Sequence, residues 1–171
     1  MSTSKQTGRA SHRWLAVATG CAILAAGGSV AVSQDQSVAT PKDTIFARKI
    51  LMDSVGNNMD ELDGIVGAAK LNLAEGKEHA DNISVMLMAF PHLFPPSTNQ
   101  WKPNVDRDPA TDTFAAPEIW INYADFYKRS KDSSQVAYKL SRAEKEDEFK
   151  DLFAQLRIAC DSCHGNYMKT Q

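Results

Sequence analysis

Cys160, Cys163 and His164 are the residues of this chain whose types and spacing could do chemistry, and they stand together in the stretch CDSCH. On a helix, two thiols three positions apart leave from one face. A histidine directly after the second sets an imidazole beside them. The pattern C-x-x-C-H reads as the attachment site of a c-type haem. The two sulfurs can grip the two vinyl positions of one porphyrin through thioethers, and His164 can turn its imidazole onto the iron as an axial ligand. Other chemistry fits this triplet less well. A disulfide between positions so close would shut a very short loop and constrain little. Structural zinc takes four nitrogen or sulfur ligands, whereas this region offers two cysteines and one histidine.

Covalent haem of this kind belongs to exported proteins, and the first residues have the layout of an export signal. Lys5, Arg9, His12 and Arg13 make a positive stretch, residues 14–26 (WLAVATGCAILAA) are apolar, and small residues follow. That is the three-part pattern of a secretory signal peptide. Residues 1–31 are expected to be the cleaved signal, with Ala31 or Ser33 as the last residue removed. The apolar run is short for a membrane span, which needs about 20 residues. Cys21 inside that run leaves a lipoprotein site open. The expected location is the periplasm. Residues 1–31 hold three of the 19 basic residues and none of the 21 acidic ones, so the mature chain carries a net charge of about −5. An acidic surface argues against nucleic acid as a partner and leaves a basic protein partner open.

Four helices are expected to position the triplet. Residues 32–40 read as a flexible mature N-terminus and residues 41–171 as one domain. From Pro41, a favoured first helical residue, Ile45, Met52, Val55, Met59, Leu62 and Val66 recur at helical spacing. A second helix is expected from about Glu75 to Phe90, with Ala80, Ile83, Leu87 and Phe90 inward and Pro91 as its stop. Residues 91–117 contain six of the seven prolines and read as a long connection that Trp101 pins to the body. A third helix opens at Pro117 and Glu118. Ile119, Tyr123, Phe126, Ala137 and Leu140 share one of its faces, and SKDSS at 130–134 breaks the stripe. SRAE at 141–144 reads as the capping box of a fourth helix, on which Phe149, Leu152, Phe153, Leu156, Cys160, Cys163 and Tyr167 recur at threes and fours. No strand alternation is visible. The expected fold is all-α: an up-down-up-down antiparallel four-helix bundle with a long crossover between the second and third helices.

The chain resembles the class II c-type cytochromes, the cytochrome c prime family, over roughly residues 42–169. The resemblance rests on CDSCHGNY, on ARKILM in the first helix, and on LFPP followed by APEIW around the crossover. It implies one covalent haem c with its iron, His164 as proximal ligand, a periplasmic role in electron transfer or in binding a small diatomic gas, and no enzymatic activity. It also places Arg48 near a haem propionate and Met52, four residues on, at the distal side of the iron. Helix rise supports the last point. Met52 lies about 15 Å along the first helix and His164 about 9 Å from the end of the last, so antiparallel neighbours bring them to one level. A thioether at Met52 could ligate the iron, or its bulk could only block the sixth site. Met59 and His92 are rival ligands, read as core and as surface, and His79 is expected to face solvent. Tyr167 packs on the haem edge or the bundle. In the family a basic residue usually follows that aromatic; here Met168 takes the place, which puts proximal chemistry relying on that charge in doubt.

Two functions follow. With Met52 on the iron, His/Met ligation raises the reduction potential and the protein is an electron carrier for a periplasmic redox partner. With Met52 as a neighbour only, the iron is five-coordinate and its apolar distal side favours NO or CO. Relatives often pair through their first two helices, which leaves a homodimer open.

Overall fold

Helix signals at the start of each segment decide where the chain turns in. The structure, a computed structural model, describes residues 39–103 and 113–169; the expected signal peptide and most of the N-terminal stretch after it lie outside them. Helix α1 spans Pro41–Gly67. Thr40 caps it: the Asp43 amide donates to Thr40 Oγ1 at 3.2 Å, and the Thr40 amide donates to Asp43 Oδ2 at 3.1 Å. This reciprocal box stabilises a helix start by about 0.5–2 kcal/mol, and hydrogen bonds from Thr40 hold the Asp43 carboxyl below its usual range. Helix α2 spans Leu73–Ala89 under an Asn72 cap. Pro91 ends its α-helical hydrogen bonding, but the chain winds on as a 3-10 turn over Phe90–Leu93, and a second such turn covers Pro96–Thr98.

The third rod is broken, though not where the serines suggested. A short helix α3, Glu118–Ile121, stops at Asn122, whose backbone leaves helical angles (φ −117°, ψ 44°), and α4 runs from Tyr123 to Leu140. Residues 130–134 stay helical. Ser130 Oγ donates to the Leu87 carbonyl at 2.6 Å and Ser134 Oγ to the Ser84 carbonyl at 2.7 Å, all buried against α2. Small side chains let the two helices approach closely, and each buried hydroxyl has the partner that burial demands. Helix α5 spans Glu146–Tyr167. Its start also differs from expectation: Ser141 closes α4 rather than capping α5, donating to the Tyr138 carbonyl at 2.8 Å and to Asp81 at 3.2 Å. Glu146, Asp147 and Glu148 crowd the first turn of α5 instead, where carboxylates suit the helix dipole.

Helix α1 packs on α2, α2 on α4, and α4 on α5, giving the antiparallel four-helix bundle with α3 and α4 together as its third rod. The main core joins Val55, Met59, Leu62, Ile83, Leu87, Leu140, Phe149 and Leu156, each worth about 1.5–3 kcal/mol of burial. Ile65, rather than Val66, is the buried residue at the end of the α1 stripe. A second, aromatic core gathers Phe94, Ile119, Phe126 and Tyr167 beneath the crossover. Trp101 does not pin that crossover: it is 39% exposed. Trp120 does so, donating from Nε1 to the Pro95 carbonyl at 3.3 Å. His79 is half-buried, not solvent-facing, with Nδ1 2.9 Å from Asn58 Oδ1.

Candidate haem site

The apolar stripe of α5 carries the chemistry into the bundle. Phe149, Phe153 and Leu156 are buried, and one turn on Cys160, Cys163 and His164 are half-buried on the same helix. Both cysteines are free thiols. Burial pushes the Cys160 thiol up to about 11; it raises Cys163 as well, against the opposing pull of Arg129. Both sulfurs therefore stand as neutral thiols near neutral pH, and what marks them as an attachment pair is their shared position beside one apolar space rather than heightened reactivity.

Two cavities of about 260 Å³ each open beside this turn. The first is walled by Arg48, Phe94, Ile119, Phe126, Tyr167 and Met168. The second is walled by Val55, Met59, Leu87, Ser130, Ser133 and Cys160. Met52, Phe90, Cys163 and His164 border both. Together the cavities fall in the roughly 300–1,000 Å³ range of cofactor pockets. Lower down, the ion pair Arg157–Asp63 ties α5 to α1. From that pair each helix advances in opposite senses to Met52 and His164, so the level match inferred from helix rise appears as shared walls.

Arg48 is set where no surface arginine could be. It is 2% exposed, donates from Nη1 to Thr98 Oγ1 at 2.9 Å and from Nη2 to the Thr98 carbonyl at 3.4 Å, and lies 4.5 Å over the Phe94 ring. Burial pushes its guanidinium down to about 10. Two of its nitrogens thus hold the crossover to α1, while Nε is buried without a hydrogen-bond partner. Tyr167 is buried against Phe126, with ring centroids 5.3 Å apart, and its hydroxyl donates to Asp125 Oδ2 at 2.6 Å. Met59 is buried core and wall of the second cavity. His92 is exposed, edge-on to Tyr127, and borders neither cavity. Met168 is 38% exposed on the rim of the first cavity, and Lys169 turns to Glu118 at 3.4 Å. The sequence reading did not single out Thr98, Phe94, Asp125, Arg129 or Ser162. Asp125 and Arg129 stand four apart on α4, but in sequence that spacing says only that they pair with each other.

The donor set fits a covalent haem: two neutral thiols one turn apart, an imidazole between two apolar cavities, and a buried arginine nitrogen with hydrogen-bonding capacity to spare. The model for the family described as Cytochrome C' matches residues 43–168. The chain belongs to the cytochrome c′ family. No curated protein sequence matches it. Among solved structures it is similar to cytochrome c′ from Thermochromatium tepidum, with 21% identity over 77% of this chain and 98% of that one and a TM-score of 0.66. It is also similar to oxidized R. palustris cytochrome c556, with 23% identity, 75% and 98% coverage and a TM-score of 0.63. A third is the nitric oxide complex of a mutant of cytochrome c prime from Alcaligenes xylosoxidans, with 20% identity, 77% and 98% coverage and a TM-score of 0.63. At these identities the likeness speaks for the fold. Family membership brings one covalent haem c with its iron, and Cys160 and Cys163 have the spacing to hold it. Cytochrome c′ proteins are periplasmic carriers or gas binders rather than enzymes of the usual kind. When bound, the haem supplies an iron that can change charge or take an axial ligand. The residues placed to take part are Cys160 and Cys163, whose sulfurs could hold the ring edge, His164, whose imidazole could face the iron, and the apolar side chains that line the remaining space.

Proposed function

We propose that this cytochrome c′ binds a diatomic gas, NO or CO, on an iron held by His164 from one side only. Met52 then acts as a bulky neighbour at the sixth site. The observation that carries this reading is the chemistry of the walls. Around Met52 and His164 the first cavity offers Phe90, Phe94, Ile119 and Phe126. Its described walls hold no second histidine, and the carboxylate that borders it, Asp53, is exposed. Two of the Arg48 nitrogens are already engaged with Thr98, and its unpaired Nε is assigned below to a haem propionate. Such a pocket gives bound O₂ little hydrogen bonding and a peroxide no buried acid/base partner. A cytochrome c prime solved as a nitric oxide complex among its structural neighbours supports it too.

A second reading makes the protein an electron carrier for a periplasmic redox partner, with Met52 as a thioether ligand. One observation favours it: Met52 and His164 border both cavities. Absorption spectra of the oxidised and reduced protein separate the two. Gas binding requires a high-spin spectrum that shifts under carbon monoxide and changes little on Met52→Ala. A low-spin spectrum that resists carbon monoxide, and that becomes high-spin in Met52→Ala, overturns it in favour of the carrier. Export through residues 1–31 remains part of the proposal, as does Arg48 Nε as a partner for a haem propionate. A homodimer is part of it as well, supported by Phe46 and Ile50 on α1 and Val85 and Met88 on α2, which are 41–66% exposed.

A further inference from the structure

Two side chains of α4 bracket the haem-bearing turn of α5 from outside the cavities. Asp125 Oδ2 accepts from Tyr167 Oη at 2.6 Å and from Arg129 Nε at 2.6 Å. Arg129 continues the chain, donating from Nη1 to Ser162 Oγ at 2.9 Å. Ser162 immediately precedes Cys163, and Tyr167 follows His164 by three. One carboxylate and one guanidinium thus fasten α5 at two points five residues apart, with Cys163 and His164 between them. The buried stripe of α5 already sets its gross orientation in the bundle; two polar contacts flanking one turn add a finer constraint on rotation at that turn. The direction in which the His164 imidazole leaves the helix follows from it. Arginine suits this task because its planar fork can serve two acceptors at once in fixed directions, which a lysine ammonium on a flexible stem does not reproduce. An isolated ion pair as open as Asp125–Arg129 contributes little to stability, so its worth here lies in orientation.

We propose that Asp125 and Arg129 are positioning residues for the iron ligand: through Tyr167 and Ser162 they set the angle of the His164 imidazole plane at the haem. The inference rests on the reading of His164 as axial ligand, and goes beyond it by assigning its orientation to α4.

The test uses the ferric holoprotein and its paramagnetically shifted proton NMR spectrum, in which the order and spread of the four haem methyl resonances report the axial imidazole plane. Wild type is compared with Asp125→Ala, Arg129→Lys and, as control, Asp81→Ala. The control removes a carboxylate that likewise joins two elements, accepting from Arg142 at 3.1 Å and Ser141 at 3.2 Å away from the haem turn. The expected result is a changed methyl order or spread in both α4 variants, with the wild-type pattern in Asp81→Ala. An unchanged pattern in Arg129→Lys, with shifted imidazole ring protons still present, overturns the proposal. So does an equal change in all three variants, which would mark a loosening of the bundle. Should Asp125→Ala fail to fold, Arg129→Lys and Tyr167→Phe carry the comparison. Absence of any shifted imidazole signal in the wild type would refute His164 as ligand, a failure distinguishable from the others.

Discussion

Replacing Gly76 by alanine sets two effects of known sign against each other. Gly76 lies in the first turns of α2 and is buried. In an unobstructed helix interior the change stabilises by about 0.8–1 kcal/mol. Gly64, inside α1, is such a place: an added Cβ meets nothing within 4 Å. At Gly76 the added carbon would stand 2.5 Å from Cζ of Phe149 and 3.2 and 3.3 Å from the two Cε atoms. Phe149 is fully buried in the main core, so its ring has little room to yield, and overpacking of this kind costs about 1–3 kcal/mol. The net for Gly76→Ala is a loss of about 1 kcal/mol, and Gly64→Ala gains about the same. For a domain of this size 1 kcal/mol moves Tm by about 3–5 °C. Far-UV circular dichroism melts of the two holoprotein variants should therefore bracket the wild type, about 6–10 °C apart. The Soret spectrum should not change in either, because neither glycine borders the haem cavities. A Gly76→Ala protein melting at or above wild type would refute the reasoning, for the Phe149 ring would then be shown to move at no cost.

Other expectations follow from the same geometry. The double variant Cys160→Ala/Cys163→Ala should yield polypeptide without covalent haem, read by intact mass after denaturation; retained haem mass would remove both cysteines from the assignment. Burial, helped by the hydrogen bond to Asp125, pushes the Tyr167 phenol up to about 12, while the unfolded chain releases that proton near pH 10. The folded state thus binds more protons between these values. Its stability from this source is complete below pH 10 and is lost as pH rises toward 12. Urea unfolding at pH 9 and 11 should show a smaller decline in Tyr167→Phe than in wild type, and equal declines would contradict the shift. Ser134→Val should lower the urea midpoint more than Ser134→Ala. Valine adds volume to the α2–α4 contact at about 1–3 kcal/mol, whereas alanine loses only one hydrogen bond, about 1 kcal/mol. Equal midpoints would mean that the contact is not tight.

The bundle was legible in the chain because its strongest signals are periodic. Leu62, Ile83, Leu87, Phe149 and Leu156 recur at threes and fours and are buried. The haem cofactor was legible for a different reason: the spacing of Cys160, Cys163 and His164 is local and points to covalent haem, which the family carries. What escaped depended on partners distant in sequence. SKDSS reads as polar, and only the carbonyls of Ser84 and Leu87 on another helix make Ser130 and Ser134 core residues. Ser141 met the pattern of a cap, but Asp81 and Tyr138 drew its hydroxyl elsewhere. Arg48 could be named through family likeness, yet its burial under Thr98, Phe94 and Trp120 depends on how the crossover folds back. The Trp101 expectation failed because one tryptophan of the region was chosen by its place in the loop, while Trp120, further on, had the reach to Pro95.

The bridge between Ala115 and Met168 closes a hoop around the site. The Ala116 amide donates to the Tyr167 carbonyl at 2.9 Å and Lys169 to the Phe114 carbonyl at 2.9 Å. Trp120 reaches Pro95, Thr98 reaches Pro95 and Arg48, and Arg48 belongs to α1. Apart from the local Thr98–Pro95 bond, each joint in this ring is shared by two segments far apart along the chain. A push delivered at the last turn of α5 therefore travels round to the first helix instead of dying in a loose end, and the mouth of the chamber gives way as a whole or keeps its shape.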